Sequence, residues 1–271
     1  MRAFLAVCLL SVSTAVSASA SCVPANNAAG ADIYPTANVL PENLLRFYIY
    51  FPAPMGHDDI MDHIQLFDGL GHPIDDAFLR NRLDLWSPDR TRLTLLLDPG
   101  RVKTGLAAHD ALGRAFEEGQ KYTLAVRGTA TTEQGCEMGE DAFHIFVAGP
   151  ADTVSPVPDK WDISPIQVGT SEAIEVDLGR THDHLSMAYK LRVVDTAGVV
   201  VRGFVAFSEN ERIWQFKPRD MWSDQTYMLK VDHDFEDLAG NRPNALFEQH
   251  QLGQHASSAS DPIFISLDIR E

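Results

Sequence analysis

Two imidazoles stand two residues apart in His182-Asp183-His184, on one face of an extended segment, and that geometry is the start of a zinc-type ligand set. Ten histidines in the chain and the acidic run Asp232, Asp234, Glu236 and Asp237 widen the choice of further ligands. No third ligand stands at a motif-fixed spacing, so the expectation is that these are solvated residues of a loop ahead of a strand and that no metal is bound. Catalytic signatures are thinner still. The chain has no Gly-x-Ser-x-Gly, no His-Glu-x-x-His, no Cys-x-x-Cys and no phosphate-cradling Gly-rich loop ending in Lys-Ser/Thr. Carboxylates abound, but glycoside hydrolysis needs a pair at a set separation, which sequence does not supply. Trp214, Phe216, Trp222 and Tyr227 fall in one short stretch and would make either a sugar platform or a core; core packing is the preferred reading. The expectation is a protein that is not an enzyme, with no catalytic, cofactor-binding or metal-binding residues and no cofactor.

The elements that would carry these residues are strands and turns. Leu44 to Phe51 is apolar and aromatic; Ile64 to Phe67, Leu83 to Trp86, Arg92 to Leu97, Tyr122 to Val126 and Phe143 to Val147 follow, with turn residues between them. Met55 to His63 and Gly105 to Phe116 would each hold one or two helical turns. Residues 149 to 158, GPADTVSPVP, are rich in Pro and small residues without periodicity and mark a linker. A second series comprises Ala173 to Leu178, Leu191 to Val194, Val199 to Phe207, Arg212 to Phe216 and Thr226 to Val231.

The two series match element by element: Phe47 to Phe51 with Ile174 to Leu178, Ile64 to Asp68 with Leu191 to Asp195, Leu93 to Leu95 with Ile213 to Phe216, and Lys121 to Val126 with Thr226 to Val231. A period this long signals duplicated domains and excludes a solenoid. In Asp68 to Gly71, Asp195 to Gly198 and Asp237 to Asn241, the Asp side chain would accept backbone N–H bonds while Gly, and Asn241 in the last, take positive φ. The chain is therefore expected to be all-β, with two tandem immunoglobulin-like antiparallel β-sandwiches. Its division reads as a signal peptide at 1–20, an N-terminal arm at 21–39, sandwiches at 40–150 and 162–250 joined by a linker at 151–161, and a tail at 251–271 with room for a final strand.

These residues resemble the bacterial Ig-like domain family named after the S-layer protein SbsA, in two copies. The first half carries Phe51-Pro52-Ala53-Pro54-Met55-Gly56, Asp68-Gly69-Leu70-Gly71, Leu93 to Pro99 and Gly119 to Val126. The second carries Trp214 to Pro218, Tyr227 to Val231 and Asp237-Leu238-Ala239-Gly240-Asn241. Pro52 and Gly56 depart from the pattern, and Cys136 with its neighbours replaces the first closing motif. The resemblance implies a sandwich used as a spacer or adhesive module, and it implies no specific ligand.

Residues 1 to 20 place Arg2 before an apolar run and end in Ala18-Ser19-Ala20, the layout of a secretory signal peptide. Its removal leaves a net charge of about −17, from −16 for the whole chain; such a surface repels phosphates and anionic lipid, so no nucleic acid and no membrane insertion are expected. Cys8 would leave with the leader, and Cys22 and Cys136 would pair in an oxidising compartment. Acylation of Cys22 in a lipoprotein is the lesser alternative, because Ser19-Ala20-Ser21 lacks a large aliphatic residue. The resulting expectation is an exported, periplasmic or extracellular structural or protein-interaction module of the cell envelope or secretome, with a protein partner. A metal- or carbohydrate-binding protein and a hydrolase with a site built from loops are the alternatives.

Overall fold

The computed structural model describes residues 30–57, 60–79, 85–102, 113–243, 245–247 and 261–270. Among these residues the first half has eight strands: β1 (Asp32–Tyr34), β2 (Val39–Pro41), β3 (Arg46–Tyr50), β4 (Ile64–Asp68), β5 (Pro73–Ile74), β6 (Arg92–Leu96), β7 (Lys121–Val126) and β8 (Ala142–Gly149). They form two sheets, β1-β3-β6 and β2-β8-β7-β4-β5. In β3 and β6, Phe47 pairs with Leu95 and Ile49 with Leu93, all four buried. Alternation puts this row on the inner face, where it meets Leu66, Leu124 and Phe146 from the other sheet.

The second half adds β9 (Asp162–Ile163), β10 (Ile166–Gln167), β11 (Ile174–Asp177), β12 (Leu191–Asp195), β13 (Gly203–Ser208), β14 (Ile213–Pro218), β15 (Tyr227–Val231), β16 (Ile263–Ser266) and β17 (Ile269–Arg270). Here the sheets are β13-β14-β11-β9 and β12-β15-β16, with β10 and β17 paired beside them. Ile174 faces Phe216 and Val176 faces Trp214, again all buried. Trp222 and Tyr227 join that core, so the aromatic stretch packs inward.

The duplication extends to topology. In each half the leading segment is split: its first part pairs antiparallel in one sheet (β1 with β3, β9 with β11), and its second runs parallel to the last strand of the half (β2 with β8, β10 with β17). β3 with β6 and β4 with β7 correspond to β11 with β14 and β12 with β15. Two immunoglobulin-like sandwiches in tandem account for this order. Strands β1 and β2 begin inside 21–39, read above as an arm, and β16 and β17 lie in 251–271.

Local readings meet different outcomes. Residues 80–84 and 103–112 lie outside the described residues, so Leu83 to Trp86 and most of Gly105 to Phe116 go with them. Trp86 makes a single bridge to Leu93, and Phe116 is buried in the first core. The 55–63 segment holds one 3₁₀ turn, Ile60–His63. Residues 199 to 207 are not one strand. Val201 N–H donates to Val193 O beside β12, and the chain then crosses at Arg202 to enter the other sheet as β13. A helix that the apolar pattern did not announce, α2 (His184–Tyr189), precedes β12, while a shorter one, α1 (Pro99–Val102), follows β6.

Candidate functional site at the junction of the two sandwiches

Arg46, Tyr48 and Tyr50 alternate with Phe47 and Ile49 along β3 and so point away from the first core. Tyr48 is nevertheless buried, and what covers it belongs to the second sandwich. Its hydroxyl donates to Asp183 Oδ2 at 2.8 Å. Asp183 also caps α2, its Oδ1 accepting from Ser186 N–H at 2.8 Å. Arg46 reaches the same carboxylate at 3.5 Å and pairs with Glu236, whose Oε1 takes a two-pronged contact from Arg242 at 3.0 and 2.7 Å. Burial alone would lower the Arg46 pKa, but Asp183, Tyr48 and Glu236 outweigh it and hold the guanidinium charged. Burial, then Asp183, drives the Tyr48 hydroxyl far above the usual phenol range, so it serves as a donor only.

The segment β1 to Thr36 makes a second contact. Thr36 gives Glu211 Oε2 two bonds, from N–H at 2.8 Å and from Oγ1 at 3.0 Å. Glu211 ends a run of three residues at positive φ, Glu209, Asn210 and Glu211, at 51°, 56° and 58°. Each costs an L-residue about 1–2 kcal/mol, so the turn persists because the buried carboxylate is anchored. His184 lies beneath it, its ring centroid 4.0 Å from that of Tyr34 and 5.0 Å from that of Phe207.

The linker is fixed as well. Asn43 exchanges two hydrogen bonds with the backbone of Asp152, and Asn241 donates to the Asp152 carbonyl at 3.1 Å. Arg180 bridges the Asp152 and Asp237 carboxylates. Leu45 N–H donates to Leu238 O at 3.1 Å, and the Leu238 side chain enters the first sandwich's core.

The expectation of solvated loop residues at 182–184 is therefore overturned: His182, Asp183 and His184 are 1%, 3% and 7% exposed. The segment turns into α2 at His184, which separates the two imidazoles. His182 Nδ1 bonds the Arg180 carbonyl at 2.8 Å, and its ring lies against Trp161 and Phe235. Burial lowers its pKa to about 4. Asp237, fully buried, is pushed up to about 7 by burial and then by Asp152, against the pull of Asn241 and Arg180. Asn241 does not take the positive φ expected of it; Gly240 does, and the Asn side chain instead ties the turn to the linker. Among the described residues no three His, Cys, Asp or Glu side chains converge as metal ligands. Cys136 closes a turn on Thr132, while Cys22, its expected partner, lies outside the described residues. Sequence reasoning missed Thr36, Arg46, Tyr48 and Glu211, although polar residues at alternate positions of the apolar run 44–51 were a signal that its outer face is covered.

The strand order and this joint define a tandem immunoglobulin-like protein. No protein-family model matches the chain, and no curated protein matches it. Among solved structures it is similar to the N-terminal Ig1-2 module of the Drosophila receptor protein tyrosine phosphatase DLAR, with 9% identity over 90% of this chain and 100% of that one and a TM-score of 0.24. It is also similar to the Bacteroides ovatus mixed-linkage glucan utilization locus protein SGBP-B, solved with a mixed-linkage heptasaccharide: 7% identity, 87% of this chain, 42% of that one, TM-score 0.22. Superpositions this loose carry no argument, and the assignment rests on the strand pairing. No helix among the described residues is long and apolar enough to cross a membrane.

Proposed function

We propose that the protein is an exported, non-catalytic module that holds two sandwich surfaces at one fixed angle for a protein partner in the cell envelope or secretome. The supporting observation is the buried joint. Tyr48, Asp183, Arg46 and Glu236 form a largely buried polar network across the two halves, and removing one member leaves its neighbours short of a bond in that setting. A flexible tether between two binding domains needs no such network, whereas a rigid presenter does. Small residues ahead of Ser21 and the acidic surface favour export and a protein partner over nucleic acid or lipid, and the strand motifs favour kinship with the SbsA-type domains.

Small-angle scattering tests the reading. The wild-type profile should fit a single conformer, and Asp183→Ala should fit only an ensemble of interdomain angles while both sandwiches stay folded by NMR. Wild-type scattering that itself needs a broad ensemble would remove the ground for a fixed presenter. Partner capture from the native envelope with wild-type and Asp183→Ala bait then reports whether the fixed angle matters for binding.

A further inference from the structure

Most strand edges among the described residues are short, interrupted by proline or covered. β2 is three residues ending in Pro41 and β5 two beginning at Pro73. β6 is flanked by Leu79 and by residues 85–87, since Leu79 N–H donates to Leu96 O, Thr94 N–H to Leu85 O and Ser87 N–H to Arg92 O. β12 is covered by 199–201. β13 differs: it is a six-residue edge, Gly-Phe-Val-Ala-Phe-Ser, with no charge and no proline. Edges of this kind are templates for another strand.

The phase of its pairing shows which groups are free. Arg219 N–H donates to Arg202 O, and Gly203 faces Pro218, which has no N–H to give. Alternate residues of an antiparallel pair exchange bonds, so Phe204, Ala206 and Ser208 bond to β14. The N–H and C=O groups of Gly203, Val205 and Phe207 face outward, and none has a backbone partner among the described residues.

We propose that β13 is the pairing site for a second copy of this chain. Two β13 strands align antiparallel about a two-fold axis at Val205, joining two four-stranded sheets into one of eight. Only registers that keep inward residues opposite inward residues preserve the sheet, and the free groups at 203, 205 and 207 select the one that sets Val205 against Val205 and Gly203 against Phe207. In that register Arg202 of each copy comes opposite Ser208 and beside Glu209 of the other, so opposite charges meet at both ends. Phe204, 71% exposed, covers Ala206 across the seam. Gly203 has no room for a side chain, since a Cβ would lie 2.4 Å from Lys217 O and from the Phe216 ring. It sits at the mouth of a cavity of about 380 Å³ lined by Leu191, Val205, Trp214 and Phe216, and Phe207 of the other copy covers that bare backbone, as aromatics do opposite edge glycines. The proposal is independent of the rigid joint.

Sedimentation equilibrium of the exported protein should show a reversible monomer–dimer equilibrium. Val205→Pro deletes an outward N–H and no bond to β14, and should weaken dimerisation at least about tenfold while the monomer stays folded by circular dichroism. Val205→Cys places two sulfurs across the axis with Cα atoms about 5.5 Å apart, within disulfide reach. It should yield a 205-to-205 linked peptide by mass spectrometry, while Lys217→Cys on β14 should not. A wild-type protein that stays monomeric at about 1 mM, or a dimer that neither weakens with Val205→Pro nor cross-links through Val205→Cys, would overturn the proposal.

Discussion

His182 and Asp237 form one bridge between backbone segments and titrate in opposite senses. The folded protein holds His182 neutral down to about pH 4, whereas the unfolded chain protonates it near 6.5. Its contribution to stability is therefore complete above about pH 6.5 and is lost as the pH falls toward 4. Asp237, raised to about 7, contributes stability that is complete below its unfolded pKa and is lost as the pH rises through 7. Between pH 4 and 6.5 the two offset each other. Denaturant unfolding as a function of pH should show it: His182→Phe keeps the ring between Trp161 and Phe235 and removes the imidazole. The stability advantage of wild type over this variant should shrink by about 3 kcal/mol from pH 6.5 to 4. A pH-independent difference would mean that His182 is not the group held neutral. At Tyr48, removal of the hydroxyl leaves the buried Asp183 short of one charge-assisted bond. Tyr48→Phe should cost about 1.5–3 kcal/mol, against a few tenths for an exposed tyrosine.

Three turns share one design, and their difference is informative. Asp68, Asp195 and Asp237 each accept two backbone N–H bonds through Oδ1, from residues two and four further on. The glycine three positions on, Gly71, Gly198 or Gly240, has φ of 84°, 78° or 78°. A Cβ at Gly71 or Gly198 meets nothing within 4 Å, whereas at Gly240 it would lie 2.3 Å from Leu45 Cδ1. Gly198→Ala should then cost only the backbone penalty, about 1–2 kcal/mol, and Gly240→Ala about 1–3 kcal/mol more for overpacking; thermal unfolding ranks them. Equal costs would show that Leu45 yields freely. The turns were legible because Asp and Gly at fixed spacing act within four residues of chain, and the strands because burial alternates along them. α2 was not. Its cap, Asp183, stands between two histidines in a segment that reads as a solvated loop, and its six residues are too few for an apolar period to emerge. The joint was legible only as an oddity, the polar Arg46 and Tyr48 in an apolar run, because its bonds span more than a hundred residues and no local pattern encodes them.

For the whole chain, export and oxidation make separate predictions. Cys22 and Cys136 are expected to form one bridge in the exported protein, closing a loop of over a hundred residues and contributing up to about 4–5 kcal/mol. Alkylation without reductant should label neither cysteine, and one labelled thiol or a lipid-sized mass increment would rule the bridge out. A chelator should leave the melting transition unchanged; a fall in melting temperature that zinc restores would point back to metal ligands.

The placement of Leu238 bears on how separable the two halves are. Tandem repeats that arise by duplication begin as independent folding units, each able to melt, be lost or be recombined alone. Here the closing turn of the later repeat supplies a core residue and a backbone acceptor to the earlier one, so the earlier unit on its own would expose Leu45 and leave the place of Leu238 unfilled. The pair has exchanged modularity for cooperativity. Calorimetry should record one unfolding transition, with a van't Hoff enthalpy matching the calorimetric one. A fragment ending at Gly149 should unfold well below the intact chain, and two resolved transitions would mean that the halves have kept their independence.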